Sequence, residues 1–187
     1  MATKMYIDQG HNPVNPNAGS EGNGFREQDL VYTIGQMTAA SLRSYGFDVR
    51  LSRPSPTTQL GTSNTTSLQA RVNDANSWGA DYFISLHTNA SDVTSASGSE
   101  AFVYRRDSDA EYLAENILTQ LNYATGLQNR GVMVRPGLYV LKKTRMPATL
   151  VELGFITNPV DAELMAYSPG LFAAGVSNGV LAYFGML

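Results

Sequence analysis

Two histidines, His11 and His87, each sit just past a strand-like apolar run, in MYIDQGHN (5–12) and YFISLHTN (82–89). The 187 residues hold no third histidine and no cysteine, so a transition metal bound by side-chain nitrogen must use these two. Two carboxylates join them as candidates. Glu152 ends the strand-like run ATLVEL (148–153), and Glu27 lies in the first turn of a long amphipathic segment. On a helical wheel Leu30, Val31, Ile34, Met37, Leu42 and Tyr45 form the inward face, and Glu27 falls in the same arc at i, relative to i+3, i+4 and i+7. A carboxylate that faces inward must be paired or bind a cation, because its desolvation otherwise costs several kcal/mol.

Each of these residues also has a purely structural reading. A histidine beside a strand is commonly a hydrogen-bonded surface residue, and Glu27 could simply complement the helix dipole. Glu21 and Asp29 are rival carboxylates, and Glu152 could pair with Arg145 or Lys143. Trp78 and the tyrosines read as packing residues rather than sugar platforms.

The elements that must position these groups alternate between strand and helix. Strands are expected over residues 4–8, 47–52, 81–86, 99–104, 131–134, 138–141 and 148–153. Helices are expected over residues 26–45, around Leu68, Val72 and Ala75, over 109–122, near Ala162, and over 170–184, with Gly46 ending the first. This order predicts an α/β fold in a single domain, with a mainly parallel sheet covered by helices on both faces. Ligands of open parallel sheets bind beyond the carboxyl ends of the strands. His11, His87 and Glu152 all fall at that edge.

Composition narrows the function classes. An apolar fraction of 43% and a charged fraction of 16% describe a folded globular chain. A net charge of −3 provides no broad basic surface for nucleic acid. The absence of cysteine excludes disulfides, thiolate nucleophiles and cysteine-ligated zinc. No run reaches the roughly 20 apolar residues of a spanning helix, and the first residues do not read as a signal peptide. A protein that leaves the cell by another route, or a domain cut from a longer secreted chain, would both look this way.

Four ordered blocks carry a family resemblance: GHN at 10–12, FREQDL at 25–30, ISLHTNA at 84–90 and MPATLVELGFITNP at 146–159. SLQARVNDAN at 67–76, GSEAFVY at 98–104, NRGV at 129–132 and PGLYVLKKT at 136–144 extend it over nearly the whole chain. The sequence resembles the zinc-dependent N-acetylmuramoyl-L-alanine amidases, the type-3 peptidoglycan amidases. The resemblance implies a six-stranded mixed sheet and one Zn2+ held by His11, Glu27 and His87, with Glu152 catalytic. It selects Glu27 over Glu21 and Asp29, as the wheel does. The implied reaction cleaves the bond from N-acetylmuramic acid to L-alanine of the stem peptide, by a zinc-activated water with Glu152 as general base and then acid.

Departures stand out in the first block, where Gln9 and Asn12 replace the proline and second glycine of the usual Asp-Pro-Gly-His-Gly, and at Met133, where many members carry lysine. Some members insert a blocking helix after the fourth strand. Here helix-like residues 110–117 follow Tyr104 too soon, so an open site is expected.

The partner expected is peptidoglycan at the bacterial cell wall, recognised through loops 12–25, 53–67 and 88–98, with neither nucleic acid nor membrane insertion. Residues 1–187 are expected to form one zinc amidase catalytic domain, with a wall-binding module elsewhere in the parent protein. A zinc peptidase acting within the stem peptide, or a wall-binding module without turnover, are the alternatives. The intact set of four residues argues against the second. A nucleotide-binding domain is disfavoured because the first strand-to-helix loop is long and lacks a phosphate-type glycine motif.

Overall fold

The computed structural model describes residues 2–187. The strands are β1 (Lys4–Gln9), β2 (Glu21–Gly22), β3 (Phe25–Arg26), β4 (Asp48–Leu51), β5 (Tyr82–Asn89), β6 (Ser99–Val103), β7 (Asn129–Val134) and β8 (Ala148–Phe155). The helices are α1 (Glu27–Ser44), α2 (Asn64–Trp78), α3 (Asp109–Thr125), α4 (Tyr139–Lys143), α5 (Pro159–Tyr167) and α6 (Pro169–Tyr183). The main sheet has six strands in the order β4-β1-β5-β8-β6-β7, and β2 pairs with β3 in a separate hairpin. β1 runs parallel to β4 and β5, and β5 parallel to β8. β6 is antiparallel to β8 and carries β7 parallel to itself. The sheet is therefore mixed, with its parallel half at the end that holds the histidines.

The central strands are near-continuous apolar runs because both faces are covered. On one face Ile7, Ile84 and Val151 pack against Val31 and Ile34 of α1, Ile117 of α3 and Val176 of α6. α3 and α6 approach closely because α6 presents glycine: a Cβ on Gly179 would lie 2.3 Å from the Ile117 Cα. On the other face Tyr6, Phe83, Phe102 and Leu150 pack beneath α2 and the five-residue α4. Side chains alternate along a strand, so Ser85 and His87 follow Phe83 on this second face, and Glu152 follows Leu150. Apolar packing gives way to polar groups toward the carboxyl ends of β1, β5 and β8.

The structure corrects several boundaries. Residues 138–141, expected as a strand, turn at Pro136-Gly137 and enter α4, where the Lys142 and Leu141 amides bond back to Leu138. A short apolar run does not distinguish strand from helix by periodicity alone. β5 runs on to Asn89, so His87 lies inside the strand rather than after it. Loop 12–25 contains β2 and the start of β3, and loop 53–67 is shortened because α2 begins at Asn64. Ser63 caps that helix by accepting the Thr66 amide. Met37 and Tyr45, assigned to the inward face of α1, are 41% and 52% exposed. Gly35, Thr38 and Ala39 are buried in their place.

Candidate metal centre

β1 leads into Gly10, whose amide donates to the Leu86 carbonyl and so continues the ladder with β5. His11 then adopts a left-handed conformation, φ 64°, a strained state for a non-glycine residue that its surroundings must hold. Arg71 of α2 does much of this. Its guanidinium, fully buried, pairs with Asp8 at 2.6 Å and donates to the carbonyls of Gln9 and His11. Ser85 donates to the other Asp8 oxygen at 2.7 Å. Burial alone would raise the Asp8 carboxyl, but Arg71 and Ser85 hold it below the usual carboxylate value.

Asn12 closes the turn from the other side. Its side-chain amide donates to Pro16 and Leu60 carbonyls at 2.8 and 2.9 Å and accepts the Leu60 amide at 3.1 Å. A glycine at this position could not tie the two loops together, so the departure at Asn12 has a structural role.

Glu27 opens α1 and is 2% exposed. Its Oε1 accepts the Thr88 amide at 3.0 Å, and its Oε2 accepts the Ser20 amide at 2.9 Å. The Thr88 amide is available because β1, the neighbour on its side of β5, ends at Gln9 and its ladder stops at the Gly10–Leu86 bond. His11 Nε2 and His87 Nδ1 lie 3.2 and 3.0 Å from Oε1. Burial would raise this carboxyl, but hydrogen bonds with both histidines hold it far below the usual range. One ligand atom each from His11, Glu27 and His87 falls within 4.8 Å of the others.

Two imidazole nitrogens and an anionic oxygen form a donor set suited to zinc and several other divalent ions. His11 Nδ1 is buried without a hydrogen-bond partner among the described residues, which fits a group meant to bind beyond the protein's own atoms. Room for the three ligands is made by glycine. A Cβ on Gly10 would lie 2.5 Å from the His87 ring, and one on Gly19 2.8 Å from Glu27. The rival carboxylates point away: Glu21 and Asp29 are both exposed and both pair with Arg26.

Glu152 sits one strand from His87, as its register partner across β5 and β8. On its other side the register partner is Glu100 of β6. His87, Glu152 and Glu100 thus form a row on the second face of the sheet. Glu152 Oε2 is buried and makes no hydrogen bond among the described residues. Burial, with the neighbouring charges of Glu27 and Glu100, pushes its carboxyl up to about 8. Glu100 itself accepts from Asn89 at 2.7 Å and from Arg130 at 2.8 Å.

A profile of the N-acetylmuramoyl-L-alanine amidase family matches residues 5–182. The chain belongs to that family. It is 34% identical over 184 residues to N-acetylmuramoyl-L-alanine amidase LytC of Bacillus subtilis, covering 96% of this chain but only 35% of LytC. It is also 34% identical to the amidase CwlM of Bacillus licheniformis, covering 98% of this chain and 69% of CwlM. The chain therefore spans about a third of the one relative and two-thirds of the other. Among solved structures, an amidase of Clostridium difficile 630 superposes with a TM-score of 0.84 at 29% identity, over 98% of this chain and 97% of that one. The CwlD amidase of Clostridioides difficile, solved with the GerS lipoprotein, shares the fold at 22% identity, over 99% of this chain and all of that one, with a TM-score of 0.90.

The fold of this chain accounts for how the predicted residues meet. Loops 12–25 and 88–98 flank the centre, the first through Gly19 and Ser20 and the second through its start at Thr88. Loop 53–67 reaches it only indirectly, through the Leu60 bonds to Asn12. Sequence reasoning missed Arg71, Gly19, Glu100 and Arg130. Glu100 carried a signal, being an acid inside the otherwise apolar strand-like run 99–104. Arg71 carried only its place in the block SLQARVNDAN, since its partner Asp8 is 63 residues away. Only residues 104–108 join β6 to α3.

Proposed function

We propose that this chain cleaves the amide between the lactyl carbonyl of N-acetylmuramic acid and L-alanine of the stem peptide, as a catalytic domain acting at the bacterial cell wall. His11, Glu27 and His87 would hold one zinc ion. Bound there, zinc supplies a Lewis acid that polarises the scissile carbonyl and acidifies water. The observation that carries the reading is Glu152, a half-buried carboxylate whose enclosed Oε2 has no hydrogen-bond partner among the described residues, aligned beside His87 on one face.

Glu152 takes the proton of the attacking water and then delivers it to the leaving nitrogen of L-alanine. Its raised value of about 8 has the charge of Glu27 among its causes. Compensating that charge with a cation lowers it, so the carboxylate is ready to act as a base near neutral pH. Arg71 and Asn12 keep His11 in its strained turn, and Thr88 and Ser20 fix both oxygens of Glu27. The five-residue link 104–108 leaves no inserted helix to cover the site, which supports activity without an activator. Loops 12–25, 53–67 and 88–98 would form the walls around glycan and peptide. Additional wall-binding parts would lie elsewhere in the parent protein, in keeping with the larger size of LytC.

Digestion of purified peptidoglycan by the zinc-loaded protein, read by mass spectrometry, tests this. Soluble stem peptides that begin at L-alanine, with glycan strands intact, are expected. Cuts between residues of the stem peptide would assign a peptidase instead. A protein that binds peptidoglycan but releases no product would be a wall-binding module.

A further inference from the structure

The charges of this acidic chain are unevenly spread. Residues 105–145 hold seven of the 13 lysines and arginines but only four of the 16 acids. Three of these cations, Arg105, Lys142 and Arg145, line one groove of about 420 Å³ between the β6–α3 link, α4 and the start of β8. All three are exposed, and none is in an ion pair among the described residues, unlike Arg26, Arg50, Arg71, Arg106 and Arg130. Arg106, next to Arg105, is taken up by Glu111 and leaves Arg105 as the free cation of the link. Asp109 is the one carboxylate among the lining residues, so the groove is net positive.

Its walls are fixed from both sides. Asn76 of α2 donates to the Lys143 carbonyl at 3.0 Å and accepts the Arg145 amide at 3.0 Å. Ser108 donates to the Arg105 carbonyl at 3.0 Å and accepts the Glu111 amide at 3.3 Å. Asp109 and Ala110 open α3 at the groove, and amides at those positions have no acceptor within the helix. The last turn of α4 accounts for Lys142 as a partner of the helix dipole, but not for Arg105 and Arg145 arriving from two other segments. A carboxylate is matched by one planar guanidinium. Three cations around a groove of this size, with helix amides beside them, suit the several oxygens of phosphate groups.

The groove is separate from the metal centre. Ala148, which lines it, begins β8 and precedes Glu152 by four residues, about 13 Å at 3.3 Å per residue. A ligand held there leaves the carboxyl edge of the sheet free. A basic area limited to one groove on a chain of net charge −3 disfavours nucleic acid.

We propose that this groove binds phosphate groups of an anionic phosphodiester polymer in the wall, giving the domain a second hold beside its metal centre. The amidase reading above supplies only the location, since the binding needs neither metal nor turnover. Engaging two sites on one insoluble wall raises the overall hold without any new contact at the scissile bond.

The test titrates the zinc-loaded full chain with a polyglycerol phosphate oligomer, inorganic phosphate, polyglutamate of matched charge and a single-stranded oligonucleotide of equal phosphate number, followed by amide NMR shifts. The oligomer should shift the amides of Arg105, Lys142 and Arg145, bind about tenfold or more tighter than inorganic phosphate, and weaken as salt is raised. The triple variant R105Q, K142Q, R145Q should bind it about tenfold more weakly, with an unchanged rate on a soluble, phosphate-free substrate. Undiminished binding by that variant, or shifts confined to other residues, overturns the proposal. Polyglutamate or the oligonucleotide binding as tightly as the oligomer overturns it too, as does an oligomer no tighter than inorganic phosphate. Should the triple variant lack a thermal unfolding transition, R105Q and K142Q decide singly, and unchanged affinity in both overturns the proposal. A chain that binds the oligomer as expected but cleaves no peptidoglycan would remove the amidase reading and leave the phosphate groove standing.

Discussion

Leu150 and Glu152 share one face of β8, but only Leu150 meets apolar partners there. Glu152 brings a carboxylate into the same buried environment without a compensating bond. Its folded value of about 8 lies above the ordinary 4.5, so the ionised form is less favourable in the folded protein than in the unfolded one. The resulting destabilisation is absent below pH 4.5, grows between 4.5 and 8, and is constant above that. Glu152→Gln should therefore stabilise the metal-free protein by roughly 4 kcal/mol at pH 8, and leave it nearly unchanged at pH 4. Thermal unfolding at the two pH values checks this, and equal effects at both would contradict it. The glycines beside the ligands give a second expectation. Gly10→Ala puts a methyl 2.5 Å from the His87 ring, so the ring must turn. Zinc affinity, measured by chelator competition, should fall on the order of 10–100-fold, whereas an unchanged affinity would place the metal away from His87.

Among the elements, the strands that carry the site were legible in the sequence because their apolar runs are bounded by polar loops and because alternation assigns faces. His11, Glu27, His87 and Glu152 could be picked out as candidates from types and spacing, while the ligand set and the catalytic role came from the family resemblance. What escaped was set by contacts distant in sequence: the Asp8–Arg71 pair beneath the His11 turn, the slip in the β5–β8 ladder, and the Asn89–Glu100–Arg130 chain across three strands. Local pattern also misled at α4, where LYVL reads equally as strand, and at Met37 and Tyr45, where an ideal wheel made the buried arc of α1 too wide. Helix contacts yield their own test. Because the α3–α6 contact depends on glycine at 179, Gly179→Leu should destabilise the fold by about 3 kcal/mol or more. Removing the α5 cap with Asn158→Ala should cost only about 1 kcal/mol. Urea unfolding midpoints compare the two, and the reverse order would show that α6 can move away from α3 without loss.

At the scale of the whole molecule, one sheet edge gathers two histidines and an unpaired glutamate, and α1 brings the buried Glu27 to them from its first turn. Binding a metal to the folded state alone stabilises it, by about 4 kcal/mol when zinc exceeds its dissociation constant a thousandfold. Stripping the metal should lower the melting temperature, and His87→Ala should abolish that difference. An equal response in the variant would locate the ion elsewhere. In the proposed division of labour, three residues hold the metal and Glu152 moves the proton. The most direct measurement is the zinc content and peptidoglycan-cleaving rate of Glu152→Gln beside the wild-type protein. One zinc per chain in both, with a rate lowered about 10²–10⁴-fold in the variant, is the expected result. Full zinc content with a rate within tenfold of wild type would contradict the role assigned to Glu152.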